Sequence, residues 1–133
     1  MRVVQYADEH LDGIVALCRA EGWPSYPADL DGADRALRAP GSLTLVAIDG
    51  HGAIDDIAVV GFAHALSDGW WGYLSLLLVA EHRRREGIGV RLVKELFRRS
   101  GVTRLDLITD EASEFYRSRP HTSFEGFRLY PRS

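Results

Sequence analysis

The N-terminal part of the chain predicts one strand followed by two helices. The strand is indicated by closely spaced apolar and aromatic residues: Val3, Val4 and Tyr6. The first helix is indicated by apolar residues at helical spacing: Leu11, Ile14, Val15 and Cys18. Gly22-Trp23-Pro24 ends that helix, and a weaker helical pattern covers Asp29–Ala39. The loop between the two helices carries the aromatic residues Trp23 and Tyr26.

Three β-rich segments follow. Residues 42–48 and 57–66 are separated by the turn residues Asp49-Gly50-His51-Gly52, which predicts an antiparallel hairpin. The third segment, 70–79, is the most apolar, and its run Leu74–Val79 is interrupted only by Ser75. Because a strand buried on both faces lacks apolar and polar alternation, we predict that this strand is central in the sheet.

The clearest amphipathic pattern comes next. Its apolar residues recur at helical spacing: Gly89, Leu92, Val93, Leu96 and Phe97. Gly101 is a suitable left-handed terminator for this helix. Beyond it, the pattern predicts a strand over 105–109, a short helix over 110–117 and a final strand over 124–130.

Composition and charge narrow the classes of function. The chain has 133 residues, 46% hydrophobic and 26% charged, which predicts a single globular domain over residues 1–133. Its formal charge of -3 gives no reason to expect a nucleic-acid partner. A single cysteine, no secretory signal and no apolar run long enough for a bilayer predict a cytoplasmic protein without a membrane partner. The histidines lack zinc-like spacing, so no metal site is expected.

The most informative stretch runs from the apolar strand through a basic, glycine-bearing turn into the amphipathic helix. The start of a helix presents unpaired N–H groups and a partial positive charge, which together favour anions. Gly87 and Gly89 allow close approach of the backbone, and Arg83, Arg84 and Arg85 add positive charge. The pattern therefore predicts a site for a diphosphate.

Two other phosphate-binding patterns do not fit this turn. The dinucleotide fingerprint Gly-x-Gly-x-x-Gly/Ala fails because Leu92 occupies its third glycine position. The nucleotide loop that ends in Gly-Lys is absent. A bare Gly-x-Gly carries little information, so the order strand, Arg84-x-x-Gly-x-Gly, helix is what gives the motif its weight.

Arg84-Arg85-Glu86-Gly87-Ile88-Gly89 resembles the (Arg/Gln)-x-x-Gly-x-(Gly/Ala) signature of the GNAT superfamily of N-acetyltransferases. The resemblance implies an α/β fold with a mixed, mostly antiparallel sheet, a splayed central strand pair and flanking helices. It also implies acetyl-CoA as the cofactor, with its pantetheine arm beside Leu77 and Val79. The coenzyme-binding residues implied in this way are Leu77, Leu78, Val79, Arg84, Arg85, Glu86, Gly87, Ile88, Gly89 and Val90.

A second stretch, Thr109 to Arg117 followed by Gly126-Phe127, is similar to the closing segment of the same family and implies Tyr116 as the general acid. The alternative is that Tyr116 simply packs beside Phe115. Ser75 and His64 are candidates for accepting the amine proton, because a serine can relay a proton through water and histidine titrates near neutral pH. A serine satisfied by the sheet and an ordinary strand histidine are the alternatives.

The aromatic residues Trp23, Tyr26, Trp71 and Tyr73 are candidates for the acceptor pocket, or they belong to the core. The predicted function is transfer of an acetyl group from acetyl-CoA to a primary amine of a small molecule. The alternatives are a noncatalytic acyl-CoA sensor and a protein-interaction module that uses Trp70-Trp71 as a contact. Strand addition at the C-terminal edge of the sheet leaves a homodimer open.

Overall fold

The computed structural model describes residues 1–50, 57–110 and 112–131. The strands are β1 Arg2–Gln5, β2 Ser42–Asp49, β3 Ala58–Ser67, β4 Trp71–Val79 and β5 Arg104–Asp106. The helices are α1 Leu11–Glu21, α2 Ser25–Ala28, α3 Leu30–Leu37, α4 Ile88–Ser100 and α5 Ser113–Arg117. Short 3-10 turns cover Asp8–His10 and Glu81–Arg83.

The strands form one mixed sheet with the order β1-β2-β3-β4-β5. The pairings from β1 through β4 are antiparallel, and β4 pairs with β5 in parallel. A parallel pair requires a crossover connection, and α4 supplies it between β4 and β5. The mixed, mostly antiparallel α/β fold predicted from the sequence is confirmed.

Side-chain alternation divides the core into two layers, one on each face of the sheet. On the face that we call the α4 face, Leu45 and Ala63 pack with Leu92 and Leu96 of α4. On the opposite face, the α1 face, the buried side chains come from α1, α3 and the strands: Ile14, Cys18, Leu37, Val46, Ile48, Phe62 and Leu78. The side chain of each β4 residue therefore lies on one face of the sheet and can contact only the groups on that face.

The N-terminal strand, the first helix and the amphipathic helix lie where the sequence predicts them. α1 ends at Gly22, whose φ is 80°, and α4 ends at Gly101, whose φ is 71°, both in the left-handed region. The weaker helical pattern forms α3, where the Asp29 carboxylate accepts from the Gly32 N–H. The aromatic loop is not entirely a loop, because Ser25–Ala28 forms the single helical turn α2.

The C-terminal predictions were partly wrong. No strand forms over 124–130, and its apolar side chains are exposed, with Phe124 82% and Leu129 86% accessible. Apolar content alone suggested a strand, but a strand also needs a neighbouring backbone to pair with. β5 is likewise shorter than predicted. Because no strand is described beyond β5, β3 occupies the middle of the sheet and β4 lies second from the edge.

Two residues of the predicted hairpin turn, His51 and Gly52, lie outside the described residues. The hairpin itself is confirmed by the antiparallel pairing of β2 with β3. Among the helices of the described ranges, none has the length and apolar character needed to cross a membrane.

Candidate active site

β4 and β5 open into a gap. Their described parallel pairing joins only Trp71–Tyr73 to Arg104–Asp106, whereas β4 continues to Val79. The strand also carries a bulge at Ser75, because Ala65 pairs with Leu74 while His64 pairs with Leu76. A bulge bends its strand and increases the local twist. The splayed strand pair predicted from the sequence is therefore present, at the side of the sheet rather than at its centre.

The backbone edge of β4 that faces this gap belongs to Leu77 and Val79. The Ala80 N–H donates to the Val60 carbonyl at 2.8 Å, which fixes the phase of the antiparallel ladder with β3. In such a ladder the N–H and C=O groups of alternate residues point to opposite sides. Leu78 therefore bonds towards β3, and the backbone groups of Leu77 and Val79 point into the gap.

The gap leads to the start of α4. Gly87 precedes the helix with a φ of 84°, in the left-handed region where a side chain is strained. The Arg91 N–H donates to the Gly87 carbonyl at 3.0 Å as the helix begins, and no side chain of the described residues caps this end. The N–H groups of Ile88, Gly89 and Val90 therefore precede the helical hydrogen-bond ladder and are available to an anion.

The three arginines before this turn have different environments. Arg83 bonds to Asp49, at the end of β2, and to Glu86 at 2.9 Å. This contact with Arg83 holds the pKa of the Asp49 carboxyl below its usual range. Arg84 bonds to Glu21 at 2.7 Å, and within the described ranges Arg85 has no ion pair. The positive charge predicted at the turn is thus partly neutralised by internal carboxylates.

Sequence reasoning missed the two carboxylates that reach these arginines from distant parts of the chain. Asp49 lies 34 positions from Arg83, and Glu21 lies 63 positions from Arg84. Nothing in the local sequence connects them with the motif, because they reach it only when β2 and α1 are packed. The only signal at Glu21 was an acidic residue at the end of a predicted helix, which does not identify its partner.

A glycine that was also missed brings α4 close to the sheet. A Cβ at Gly61 would lie 3.1 Å from the Leu78 carbonyl oxygen and 3.4 Å from the side chain of Ile88. The first distance is tighter than ordinary van der Waals contact, and the second is at its lower limit. Gly61 therefore lets the first turn of α4 lie directly over β3 and β4.

α5 lies beside the same turn on the α4 face. A Cβ at Gly89 would lie 3.3 Å from the Phe115 ring, which places that ring against the start of α4. The Tyr116 ring meets Phe115 edge to face at 5.0 Å and packs partly buried against the α4-face core. A phenol is protonated at neutral pH, and burial raises the pKa of Tyr116 further above its usual value.

His64 and Ser75 are both engaged with the sheet. The Ser75 hydroxyl donates to the His64 carbonyl at 2.9 Å, which is the satisfied arrangement that the sequence left open. The His64 ring lies buried on the α1 face, where its Nδ1 is 2.7 Å from Thr44 Oγ1. Burial lowers the pKa of His64, so its ring is neutral at pH 7.

The hydrogen bonds of Thr44 determine the tautomer of His64. The Thr44 hydroxyl donates to the Leu37 carbonyl at 2.7 Å. A hydroxyl has one proton to donate, so it accepts from His64 Nδ1–H. The proton of the neutral ring is then on Nδ1, and Nε2 carries the lone pair. A lone pair on a neutral ring is the requirement for a base.

The four aromatic residues predicted for the acceptor pocket share the α1 face but have two environments. Trp23 and Tyr26 pack half-buried against the core, and burial raises the pKa of Tyr26 to about 12. Trp71 and Tyr73 are exposed along β4. The Arg104 guanidinium lies over the Trp71 ring at 4.0 Å, so a cation already occupies that face.

A cleft with a volume of about 320 Å³ lies between α1 and the end of β4. Its walls include the small side chains Ala16 and Ala20 of α1, together with Val79 at the gap. Glu21 and Arg84 form its charged rim. The cleft therefore adjoins the backbone edge of β4 on the α1 face, whereas Tyr116 approaches from the α4 face.

A mixed sheet that opens between β4 and β5, with an uncapped helix start at the end of the opening, defines a fold shared by known acetyltransferases. The model of the acetyltransferase (GNAT) domain matches residues 40–119, which is more than half of the chain. The chain belongs to this family. Its resemblance to the GNAT superfamily, inferred above from Arg84–Gly89, is confirmed.

Solved structures support the same fold. The aminoglycoside 6'-N-acetyltransferase AAC(6')-IG from Acinetobacter haemolyticus is 17% identical, with a TM-score of 0.76 and coverage of 100% of this chain and 99% of that chain. AAC(6')-Iy, in complex with a CoA-containing bisubstrate analogue, is 18% identical, with a TM-score of 0.74 and coverage of 97% and 95%. A GNAT family acetyltransferase from Streptococcus pneumoniae is 23% identical, with a TM-score of 0.73 and coverage of 99% and 98%. The sequence matches no curated protein. At these identities the likeness concerns the fold.

Proposed function

We propose that this chain transfers the acetyl group of acetyl-CoA to a primary amine of a small molecule. The observation that carries the proposal is a continuous path of backbone groups that no neighbouring strand pairs within the described part of the chain. It begins at Leu77 and Val79 on the open edge of β4 and ends at the start of α4. This geometry suits a ligand that has amides at one end and a diphosphate at the other. Membership of the GNAT family and CoA complexes of proteins with the same fold support this choice.

The residues present fit coenzyme A. Backbone groups of Leu77 and Val79 offer hydrogen bonds to the pantetheine amides, as an added strand would receive them. The N–H groups of Ile88, Gly89 and Val90 face the diphosphate, where the helix dipole favours negative charge. Gly87 lets the backbone turn sharply enough to present them. When bound, acetyl-CoA supplies the reactive thioester.

The chain supplies the proton transfers and stabilises charge. The Val79 N–H points into the gap, where it can stabilise the negative charge that develops on the thioester oxygen. Tyr116 is protonated at neutral pH and holds the proton that the leaving sulfur needs. His64 Nε2 is the candidate for accepting the amine proton, through water, because its ring is neutral and its tautomer is fixed. Ser75 is bonded to the His64 carbonyl, so its role is to hold the bulge.

Tyr116 and His64 lie on opposite faces of the sheet, which suits their proposed roles as acid and base. Tyr116 packs on the α4 face, and His64 lies on the α1 face. An amine that enters from the α1 face would therefore meet the base first, while the sulfur would leave towards the acid. The exposed aromatic residues Trp71 and Tyr73 lie on the same face as the base and are our candidates for contacting the acceptor.

The test is an acetyl-transfer screen with free thiol as the readout. The purified chain is incubated with acetyl-CoA and a panel of amines that includes polyamines, aminoglycosides, arylamines and amino acids. Acceptor-dependent thiol release, with the acetylated amine seen by mass spectrometry, is the expected result. Coenzyme binding without transfer to any amine would favour the noncatalytic sensor. No coenzyme binding by the folded chain would favour the interaction module.

A further inference from the structure

The side chain of Arg84 connects three parts of the site. Its Nη2 lies 2.7 Å from Glu21 Oε2, at the end of α1. Its Nε–H donates to the Val79 carbonyl at 3.0 Å. Val79 is one of the residues whose backbone faces the gap, so the guanidinium covers a group that a bound ligand would need. Both described partners of Arg84 therefore belong to the site.

We infer that Glu21 competes with the diphosphate of the coenzyme for Arg84, and that Arg84 leaves Glu21 and Val79 when the coenzyme binds. This inference rests on the proposed function. Arg84 lies in the turn directly before Gly87, next to the N–H groups assigned to the diphosphate. A guanidinium binds phosphate oxygens with two parallel hydrogen bonds, whereas it reaches Glu21 through one oxygen.

One movement of Arg84 makes two ligand-binding groups available. The guanidinium becomes free to bind phosphate, and the Val79 carbonyl loses its hydrogen-bond donor. This hydrogen bond is exposed, so the carbonyl is then free to accept from another donor. The N–H of a pantetheine amide can be that donor. Arg84 therefore occupies the place of the coenzyme in the free protein and contacts its phosphates in the complex.

The competition predicts the sign of a mutation at Glu21. Coenzyme binding has to break the ion pair between Arg84 and Glu21, and the free energy needed for this weakens binding. Removal of the carboxylate charge should therefore strengthen binding. Both side chains are partly exposed, at 42% for Arg84 and 27% for Glu21, and solvent weakens such a pair. The expected gain in affinity is about two- to fivefold, as typical exposed ion pairs suggest. If Glu21 instead anchors Arg84 in its binding position, the same mutation would weaken binding.

The experiment measures coenzyme A affinity by calorimetry for the wild type and for Glu21→Gln. Glu81→Gln is the matched control, because Glu81 lines the same cleft and, within the described part of the chain, forms no ion pair. Both mutations remove one negative charge near the diphosphate. Glu21→Gln should strengthen binding more than Glu81→Gln does. Equal gains would indicate a general charge effect and would overturn the inference, as would weaker binding by Glu21→Gln.

A double-mutant cycle with Arg84→Ala tests whether the effect acts through Arg84. In the Arg84→Ala background, Glu21→Gln should change the affinity no more than Glu81→Gln does. If Glu21→Gln keeps its full effect without Arg84, the competition does not exist. Thermal melts of each variant establish that it is folded before its affinity is compared.

A measurement on the wild type avoids the risk that a variant misfolds. The Nε–H resonance of Arg84, followed by NMR, should shift during titration with coenzyme A because its acceptor changes from the Val79 carbonyl to phosphate. A resonance that stays unchanged at saturation would overturn the inference while leaving the proposed function intact. Absence of any binding to the folded wild type would overturn both.

Discussion

The turn into α4 and the α1 face of β4 are built in different ways. At the turn, the groups offered to a ligand are backbone N–H groups of consecutive residues, Ile88 to Val90. On the α1 face they are side chains from separate segments, such as Trp23, His64 and Trp71. The first region depends on local backbone conformation, whereas the second depends on how α1, α2 and the strands pack together.

This difference separates recognition of the coenzyme from recognition of the acceptor. A backbone site tolerates many side chains but favours glycine at positions of positive φ such as Gly87, although Arg85 in the same turn also has a positive φ, of 68°. A side-chain site can change its specificity when one residue changes, with no effect on the turn. Mutations at the two regions should therefore alter different constants.

The largest expected effect is on turnover, for Tyr116→Phe. Loss of the general acid should lower kcat about a hundredfold or more while the Kd for coenzyme A stays nearly unchanged. Stopped-assay kinetics and calorimetry measure the two constants. Tyr6→Phe is the control, because its hydroxyl bonds to Asp34 far from the gap. Full turnover in Tyr116→Phe would remove the role of Tyr116 as acid and leave it a packing residue.

Gly87→Ala should weaken coenzyme A binding about tenfold, because a side chain in the left-handed region costs about 1–2 kcal/mol and displaces the turn. Gly101→Ala is a matched control at the other end of α4. Both glycines have positive φ, and a Cβ at either would meet no atom within 4 Å. Calorimetry should show weaker binding only for Gly87→Ala, although thermal melts should show a similar loss of stability in both. If Gly87→Ala and Gly101→Ala bind coenzyme A with equal affinity, this result would argue against a role for the turn in binding.

A smaller effect is expected from Thr44→Val, which removes the hydroxyl that fixes the His64 tautomer. One hydrogen bond is worth about 1 kcal/mol, so kcat/KM should fall about fivefold. Thr103→Val is the control, since its hydroxyl bonds to the Trp70 carbonyl at the protein surface. A loss that is the same in both variants would show that the Thr44 contact is only structural.

The pH dependence of kcat/KM tests whether His64 is the base. Burial lowers the pKa of His64, so its basic form persists below the usual value of 6.5. The rate should therefore fall only as the pH drops through this lowered pKa, and His64→Gln should lack that acidic limb. An unchanged limb in His64→Gln would assign the proton transfer to another group.

The smallest effect is expected for Trp71→Ala. The Arg104 guanidinium already covers one face of this ring, so loss of the other face should raise KM for a cationic acceptor about two- to fivefold, the range of exposed cation–π contacts. The Kd for coenzyme A should stay the same. Trp70→Ala provides a comparison, because Trp70 is more exposed than Trp71, at 64% against 50%. If Trp70→Ala raises KM more than Trp71→Ala, the acceptor contacts lie elsewhere on this surface.

Much of the coenzyme side was predictable from the sequence because it is local. The apolar strand, the turn with Gly87 and the amphipathic helix occupy one continuous stretch, and their order alone predicted an anion site. The partners of that stretch were not predictable. Glu21 is brought to Arg84 by packing of α1, and Thr44 is brought to His64 by the register of β2 with β3.

The acceptor side and the C-terminus show the limits of pattern reasoning. The apolar character of 70–79 predicted a strand that includes Trp71 and Tyr73, but only the sheet shows that they share a face with His64. The apolar residues of 124–130 resembled a strand, yet Phe124 and Leu129 remain exposed. The composition of a segment shows how hydrophobic it is, whereas strand formation also requires a neighbouring strand with an open edge.

The central claim is that one ligand lies along the open edge of β4 and reaches the start of α4. Titration of the isotope-labelled chain with coenzyme A, followed by amide NMR, tests it directly. The account predicts saturable shifts concentrated at Leu77, Val79 and the N–H groups of Ile88, Gly89 and Val90. Binding with shifts confined to other parts of the chain, or no shifts in a folded sample, would contradict it.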